Sequence, residues 1–236
     1  MTHPCRIEVN GETLVPDVSG ALWWPAEKTL AVADLHFEKG SAFARGGQLL
    51  PPYDTRATLK RLAEVLKRLR PARVIALGDS FHDSKAGARL DAEEIAALRA
   101  LTERADWLWV EGNHDPEPPA WLGGRVTHEI AVGGLLFRHK PQKRACKGEV
   151  AGHLHPAATI RRRGLSVRRR CFVADGTRLI LPAFGAYTGG LDVREAAIAS
   201  LFADGFAVYA LGRERVYAVG GAAYARLSSP AERERK

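Results

Sequence analysis

An α/β sandwich is the fold this sequence predicts, and three features point to it. Short apolar runs alternate with amphipathic helical stretches as β-α-β-α-β between residues 29 and 110, and the second half is rich in strand-like segments. The chain has 236 residues, 46% of them hydrophobic and 26% charged, which suits one large globular domain or two small ones. No internal repeat and no long Pro/Gly/Ser-rich linker divides it. The expected organisation is a single domain over residues 1–227. The stretch 228–236 is charged and lacks apolar anchors, so it is expected to be a disordered tail.

Thr29–Ala33 (TLAVA) reads as a strand that stops at Asp34. Behind Pro51 and Pro52, Asp54 stands where a helix cap is expected. Leu59, Leu62, Leu66 and Leu69 then recur at three- and four-residue spacing, with Lys60, Arg61, Lys67 and Arg68 off that stripe. Pro71 closes this helix, and Arg73–Leu77 (RVIAL) is a buried strand ending in Gly78-Asp79. Asp91 and Glu94 form a capping-box pattern ahead of a helix carrying Ile95, Leu98 and Leu101. Trp107–Val110 runs into Glu111-Gly112-Asn113-His114-Asp115. Leu135–Arg138 runs into His139, and Glu149–Ala151 into Gly152-His153-Leu154-His155. A late hairpin is expected between Phe206–Leu211 and Val216–Val219, turning at Arg213–Arg215.

Composition removes several function classes. No window approaches the ~20 apolar residues of a membrane span, and no secretory signal is visible, so a cytoplasmic protein is expected. Cys5, Cys146 and Cys171 are far apart and without CxxC spacing; they read as free thiols in a reducing compartment, not as zinc ligands. No GxxxxGK[ST] loop is present. Thirty-five Lys and Arg against 27 Asp and Glu give a net charge of +8, which draws a protein toward phosphates.

The chemistry lies at the strand ends. Five apolar runs terminate in potential metal ligands: Asp34-x-His36, Asp79, Asn113 with His114, His139, and His153-x-His155. In open α/β sheets the functional crevice lies beyond the carboxyl ends of the strands, where side chains distant in sequence meet. Each motif alone also fits an ordinary turn; the ordered set of five points to a metal centre. Carboxylate, amide oxygen and imidazole together suit Mn, Fe or Zn, and two such ions ~3.5–4 Å apart need a shared carboxylate.

In that order, Asp34-Leu35-His36, Gly78-Asp79, Gly112-Asn113-His114-Asp115, His139 and Gly152-His153-Leu154-His155 resemble the signature of the calcineurin-like metallophosphoesterases. The resemblance implies two mixed sheets flanked by helices. It implies a first ion on Asp34, His36 and His155, a second on Asn113, His139 and His153, and Asp79 bridging both. It further implies phosphoester hydrolysis by a metal-activated hydroxide, with His114 protonating the leaving oxygen. The phosphoprotein phosphatase branch carries GDxxDRG, whereas here position 82 is His and the acid is Asp83. His82 is then a further proton donor or phosphate contact and Asp83 an orienting group, or the two are a loop pair.

A narrower resemblance covers nearly the whole chain except the tail. Asp34-Leu35-His36-Phe37-Glu38-Lys39-Gly40, Gly78-Asp79-Ser80-Phe81-His82-Asp83, Arg170-Cys171-Phe172 and Leu181–Asp192 are similar to the bacterial ligase-associated DNA damage response endonucleases, the PdeM family. It implies manganese-dependent phosphodiester cleavage in DNA, with functional links to a DNA ligase and a helicase. The alternatives are a small-molecule phosphatase or cyclic-nucleotide phosphodiesterase on the same fold, and a metal-stabilised binding scaffold.

One charge run bears on that choice. Arg161, Arg162, Arg163, Arg168, Arg169 and Arg170 lie in RRRGLSVRRR, read as a hairpin turning at Gly164-Leu165-Ser166. Such a run is either a solvated face or a nucleic-acid strip; its start just after His155 favours the strip. Trp23, Trp24 and Trp121 offer stacking surfaces, with core packing the better reading of each.

Overall fold

Apolar residues at successive positions, not alternate ones, mark the central strands, because both of their faces are buried. In a computed structural model of the chain, residues 5–48, 53–115, 117–144, 146–162 and 164–219 are described, residues 120 and 162 without their side chains. The expected tail at 228–236 lies outside these residues.

Two mixed sheets pack face to face. The first runs in sequence order through β1 (Ile7–Val9), β2 (Glu12–Pro16), β3 (Leu22–Trp24), β4 (Thr29–Val32), β5 (Arg73–Leu77), β6 (Asp106–Val110) and β7 (Arg125–Thr127). Its last four strands are parallel. The second comprises β8 (Glu129–Val132), β9 (Leu135–Arg138), β10 (Glu149–Ala151), β11 (Ala157–Arg162), β12 (Leu165–Ala174), β13 (Arg178–Ile180), β14 (Ala207–Leu211) and β15 (Val216–Val219). Its order is β15-β14-β12-β13-β10-β9-β8, with β11 on β12. Ala31, Ile75, Leu77, Leu108 and Val110 point inward to meet Phe137, Val150, Phe172 and Leu179 of the other sheet. Leu30, Val32, Val74, Trp107 and Trp109 point outward onto helices α2 (Asp54–Leu69) and α3 (Ala92–Thr102). A third core joins the outer face of the second sheet to α4 (Ala196–Ala199).

The expected helix stripe is buried at Leu59, Leu62 and Leu66. Asp91 and Glu94 make the capping box, with Glu94 N–H donating to Asp91 Oδ1 at 2.8 Å and Asp91 N–H to Glu94 Oε2 at 3.1 Å. Asp54 differs from expectation. It is the first helical residue, behind Tyr53, and its Oδ2 accepts the Gly40 N–H at 2.9 Å, joining α2 to α1 (Lys39–Arg45). The arginine hairpin also turns earlier than expected: Arg162 pairs with Leu165 and Arg161 with Ser166, so Leu165 and Ser166 are strand. Gly164, at φ +80°, supplies the left-handed backbone that a tight turn requires. The late hairpin turns at Gly212–Arg215, as expected. Trp24 is buried against Phe137, and Trp23 and Trp121 pack on the outer core. Of the three, only Trp24 is fully buried; Trp23 and Trp121 are half-buried. All three cysteines are free, and burial pushes the Cys171 thiol far above its usual range.

Candidate metal centre

The ligand-type side chains converge because parallel neighbours β4, β5 and β6 end level, while β9 and β10 of the facing sheet end above them. Beyond the strands the backbone leaves extended geometry abruptly. Asp34 (φ 55°), His36 (46°), Asp79 (46°), His153 (70°) and His155 (46°) are all left-handed, a conformation rare outside glycine that clusters at functional sites. The loops are stitched together: His36 N–H donates to Asp79 O (2.9 Å), and His153 N–H to Asp34 Oδ2 (2.9 Å). Glycine is required by close approach at Gly112, where a Cβ would lie 2.1 Å from the Asp79 nitrogen.

Two groups result. Asp34, His36 and His155 offer ligand atoms within 4.8 Å of one another, and so do Asp79, His139 and His153. His36 Nε2 faces His155 Nε2 at 3.3 Å, and His155 Nε2 lies 3.3 Å from Asp34 Oδ1. In the second group His139 Nε2 lies 2.9 Å from Asn113 Oδ1, 3.1 Å from His153 Nδ1 and 3.4 Å from Asp79 Oδ1. The other ring nitrogen of His139 faces the Leu77 carbonyl at 2.9 Å and so donates to it, leaving Nε2 free to ligate. All seven residues singled out from sequence are therefore brought together.

Their environment suits a cation. Asp34 is fully buried, and its Oδ1 makes no hydrogen bond among the described residues, a costly arrangement for a carboxylate without a positive partner. Burial holds His36 down at about 3, and burial with the neighbouring His139 lowers His153, so both stay in the neutral form that ligates metal. Burial works against the charge of Asp79, but the hydrogen bond and charge of His139 and the His114 N–H keep it well below the usual carboxylate range. His139 is raised: burial opposes its charge, and Asp79 and Asp34 outweigh that.

Around the ligands, His114 is exposed, with Nε2 3.9 Å from Asp79 Oδ2 and its N–H on Asp79 Oδ1 at 2.9 Å. Its ring stacks on His82 at 5.6 Å and meets His36 edge-on at 5.4 Å. Asp83 is engaged by a cation: Oδ1 and Oδ2 accept from Arg89 at 2.9 and 2.8 Å, and Oδ1 also takes the Lys85 N–H. Asp115 was overlooked in sequence, although GNHD contains it. It is buried, accepts the Phe81 N–H at 2.9 Å, and is pushed up to about 7 by burial and by Asp79.

The arginine run divides by register. Arg161, Arg168 and Arg170 share one face, opposite Ser166, Thr159 and Ala157; Arg169 lies on the other, opposite Ala158. Arg170 is mostly buried and donates to the Ala183 carbonyl at 2.7 Å, so it is a packing contact and not part of an exposed strip. Arg168 is exposed and donates to the Gly190 carbonyl at 2.5 Å. Arg161 and Arg169 are exposed. Arg163 and the side chain of Arg162 lie outside the described residues.

The sequence profile of the calcineurin-like phosphoesterases matches residues 27–167. No curated protein matches the chain. Among solved structures it is similar to Pseudomonas putida nuclease MPE, at 31% identity and TM-score 0.72, over 92% of this chain and 100% of that one. Slighter likenesses extend to a protein of unknown function from Aquifex aeolicus (19% identity, TM-score 0.40, 54% and 78% covered). They extend also to Yfce, a phosphoesterase from E. coli (13%, 0.39, 81% and 97%). Profile and ligand groups agree, and the chain belongs to the calcineurin-like phosphoesterases, as a metal-dependent hydrolase of phosphoesters.

Proposed function

We propose that the protein is a dinuclear phosphodiesterase that cleaves DNA as an endonuclease, in the service of DNA repair. The observation that carries this reading is that the two ligand groups adjoin: His139 of the second lies 3.8 Å from Asp34 of the first, so two cations held there would be close neighbours. Asp34, His36 and His155 would hold one, Asn113, His139 and His153 the other, with Asp79 shared. Manganese is the ion we favour; iron and zinc accept the same donors. When bound, such a pair would offer Lewis acidity to phosphoryl oxygens and would lower the pKa of a bound water.

The chain's own residues do the rest. The ionised, buried Asp79 is held in place by the His114 N–H. His114, at the exposed rim, gives the departing oxygen its proton. His82 is kept neutral by burial and the nearby Lys39 charge; stacked on His114, it fixes that ring and offers a nitrogen to phosphate. Asp83 acts further out, as a positioning residue that anchors Arg89 to Ser41 and to the Glu38 carbonyl. Arg161 and Arg168 carry the path of the polyanion away from the centre.

DNA as substrate is supported by similarity to a nuclease over that protein's whole length and by the net charge of +8. A link to a ligase and a helicase rests on the narrower resemblance of Asp34–Gly40, Gly78–Asp83 and Leu181–Asp192. The free cysteines support a reducing, cytoplasmic setting. The test is chelator-stripped protein reloaded with Mn²⁺, Fe²⁺ or Zn²⁺. Its substrates are circular single-stranded DNA, duplex DNA, RNA, an aryl phosphodiester and an aryl phosphomonoester. Manganese should restore cleavage of circular DNA and of the diester. Turnover of the monoester with no cleavage of nucleic acid would identify a small-molecule phosphatase.

A further inference from the structure

We propose that the cavity beside the second ligand group is a nucleotide subsite, holding the nucleotide next to the scissile phosphate; this rests on the phosphodiesterase reading above. The cavity measures about 700 Å³, well beyond what a phosphate at the centre occupies and within the range of small-ligand sites. Asn113, His139 and His153 form its inner end, so its occupant is continuous with a group at the ligands. Lys140 and Gln142 stand exposed on its wall.

Charge decides the class of ligand. Glu129 is bound by Arg138, and Glu111 hydrogen-bonds at the rim with the exposed His128 ring at 3.2 Å, an ion pair only where that ring is protonated. Lys140 has no carboxylate partner among the described residues. Beyond the ligand group the cavity wall therefore presents the Lys140 cation beside the Gln142 carboxamide, the pairing that a phosphate with an attached base would use. An apolar ligand would leave Lys140 desolvated, and a lone anion would leave most of the volume unfilled.

The wall is also fixed in advance. Gln142 N–H donates to Glu149 Oε1 at 2.9 Å, and its carbonyl accepts from Arg178 Nη2 at 2.9 Å. Arg178 and Glu149 are fully buried and paired, and Arg178 also binds the Arg144 and Leu201 carbonyls. A buried ion pair adds little net stability over an apolar pair of the same size. Here its hydrogen bonds go to the backbone that carries the cavity wall, which lowers the ordering cost of binding.

The experiment compares wild type with Lys140→Gln and Gln142→Ala, both at exposed positions, in the metal-loaded protein. Calorimetry follows binding of thymidine 3′,5′-bisphosphate and of inorganic phosphate. Loss of one charged contact should weaken bisphosphate binding roughly tenfold in Lys140→Gln, with a smaller loss in Gln142→Ala. Inorganic phosphate, which needs the metals alone, should bind all three proteins equally. Unchanged bisphosphate affinity in both variants overturns the proposal, and so does an equal loss for bisphosphate and phosphate. Wild-type turnover of an aryl phosphodiester, measured on the same preparation, reads the phosphodiesterase assignment separately. If that turnover is absent while the bisphosphate result holds, nucleotide binding in the cavity stands, and the assigned reaction falls together with the place beside a scissile phosphate.

Discussion

His114 occupies an unusual position for a histidine so close to two ligand groups: it is exposed, it ligates in neither group, and its own backbone fixes Asp79. A side chain so placed serves the substrate better than it serves a cation. His114→Ala should therefore keep full metal content. It should lose about 10²–10⁴-fold activity on substrates with poor leaving groups and far less on activated aryl esters. Metal analysis with paired kinetics checks this, and equal losses on both substrates would assign His114 to phosphate binding. Asp79, Asn113 and His153 were legible from their places after apolar runs, because strand ends in a parallel sheet must converge. The role of Asp83 was not legible. Its partner Arg89 is six residues away across a loop, and no periodicity reports which cation a loop carboxylate will meet.

At the scale of elements, the hairpin β11–β12 shows what register adds to a charge count. Six arginines in ten residues look like one patch, but of the four whose side chains are described Arg161, Arg168 and Arg170 take one face of the ribbon and Arg169 the other, and Arg170 is absorbed by packing. Replacing Arg161 and Arg168 by Ser should flatten the salt dependence of DNA binding. Each lost contact lowers the slope by about 0.9 on duplex and about 0.7 on single strands. Arg169→Ser should leave the slope unchanged, as Arg169 is exposed on the opposite face from Arg161 and Arg168. A salt titration of affinity decides between them. The helices α2 and α3 were readable because leucine spacing and a capping box are local signals. The short strands β1, β2 and β3 were not: three to five residues carry too little periodicity, and their place is set by pairing in series, β3 on β4, β2 on β3 and β1 on β2.

Over the whole molecule, the candidate centre lies across the seam between the sheets. Asp34, His36, Asp79 and Asn113 follow strands of the first, and His139, His153 and His155 follow strands of the second. Cations bound there would cross-link both halves of the sandwich, so chelation should lower the melting temperature as well as abolish turnover. Free metal at a hundred times its dissociation constant contributes about 2.7 kcal/mol, which calorimetry with and without chelator would read. The left-handed backbone at Asp34, His36, Asp79, His153 and His155 has a consequence of another kind. At roughly 1 kcal/mol for each such residue, the five together approach the net stability of an ordinary domain. Relief of backbone strain alone would favour glycine at every one of them. In metal-free protein, selection for heat resistance without selection for turnover would therefore press on these positions, so bound cations would be what keeps the strained residues compatible with a stable fold.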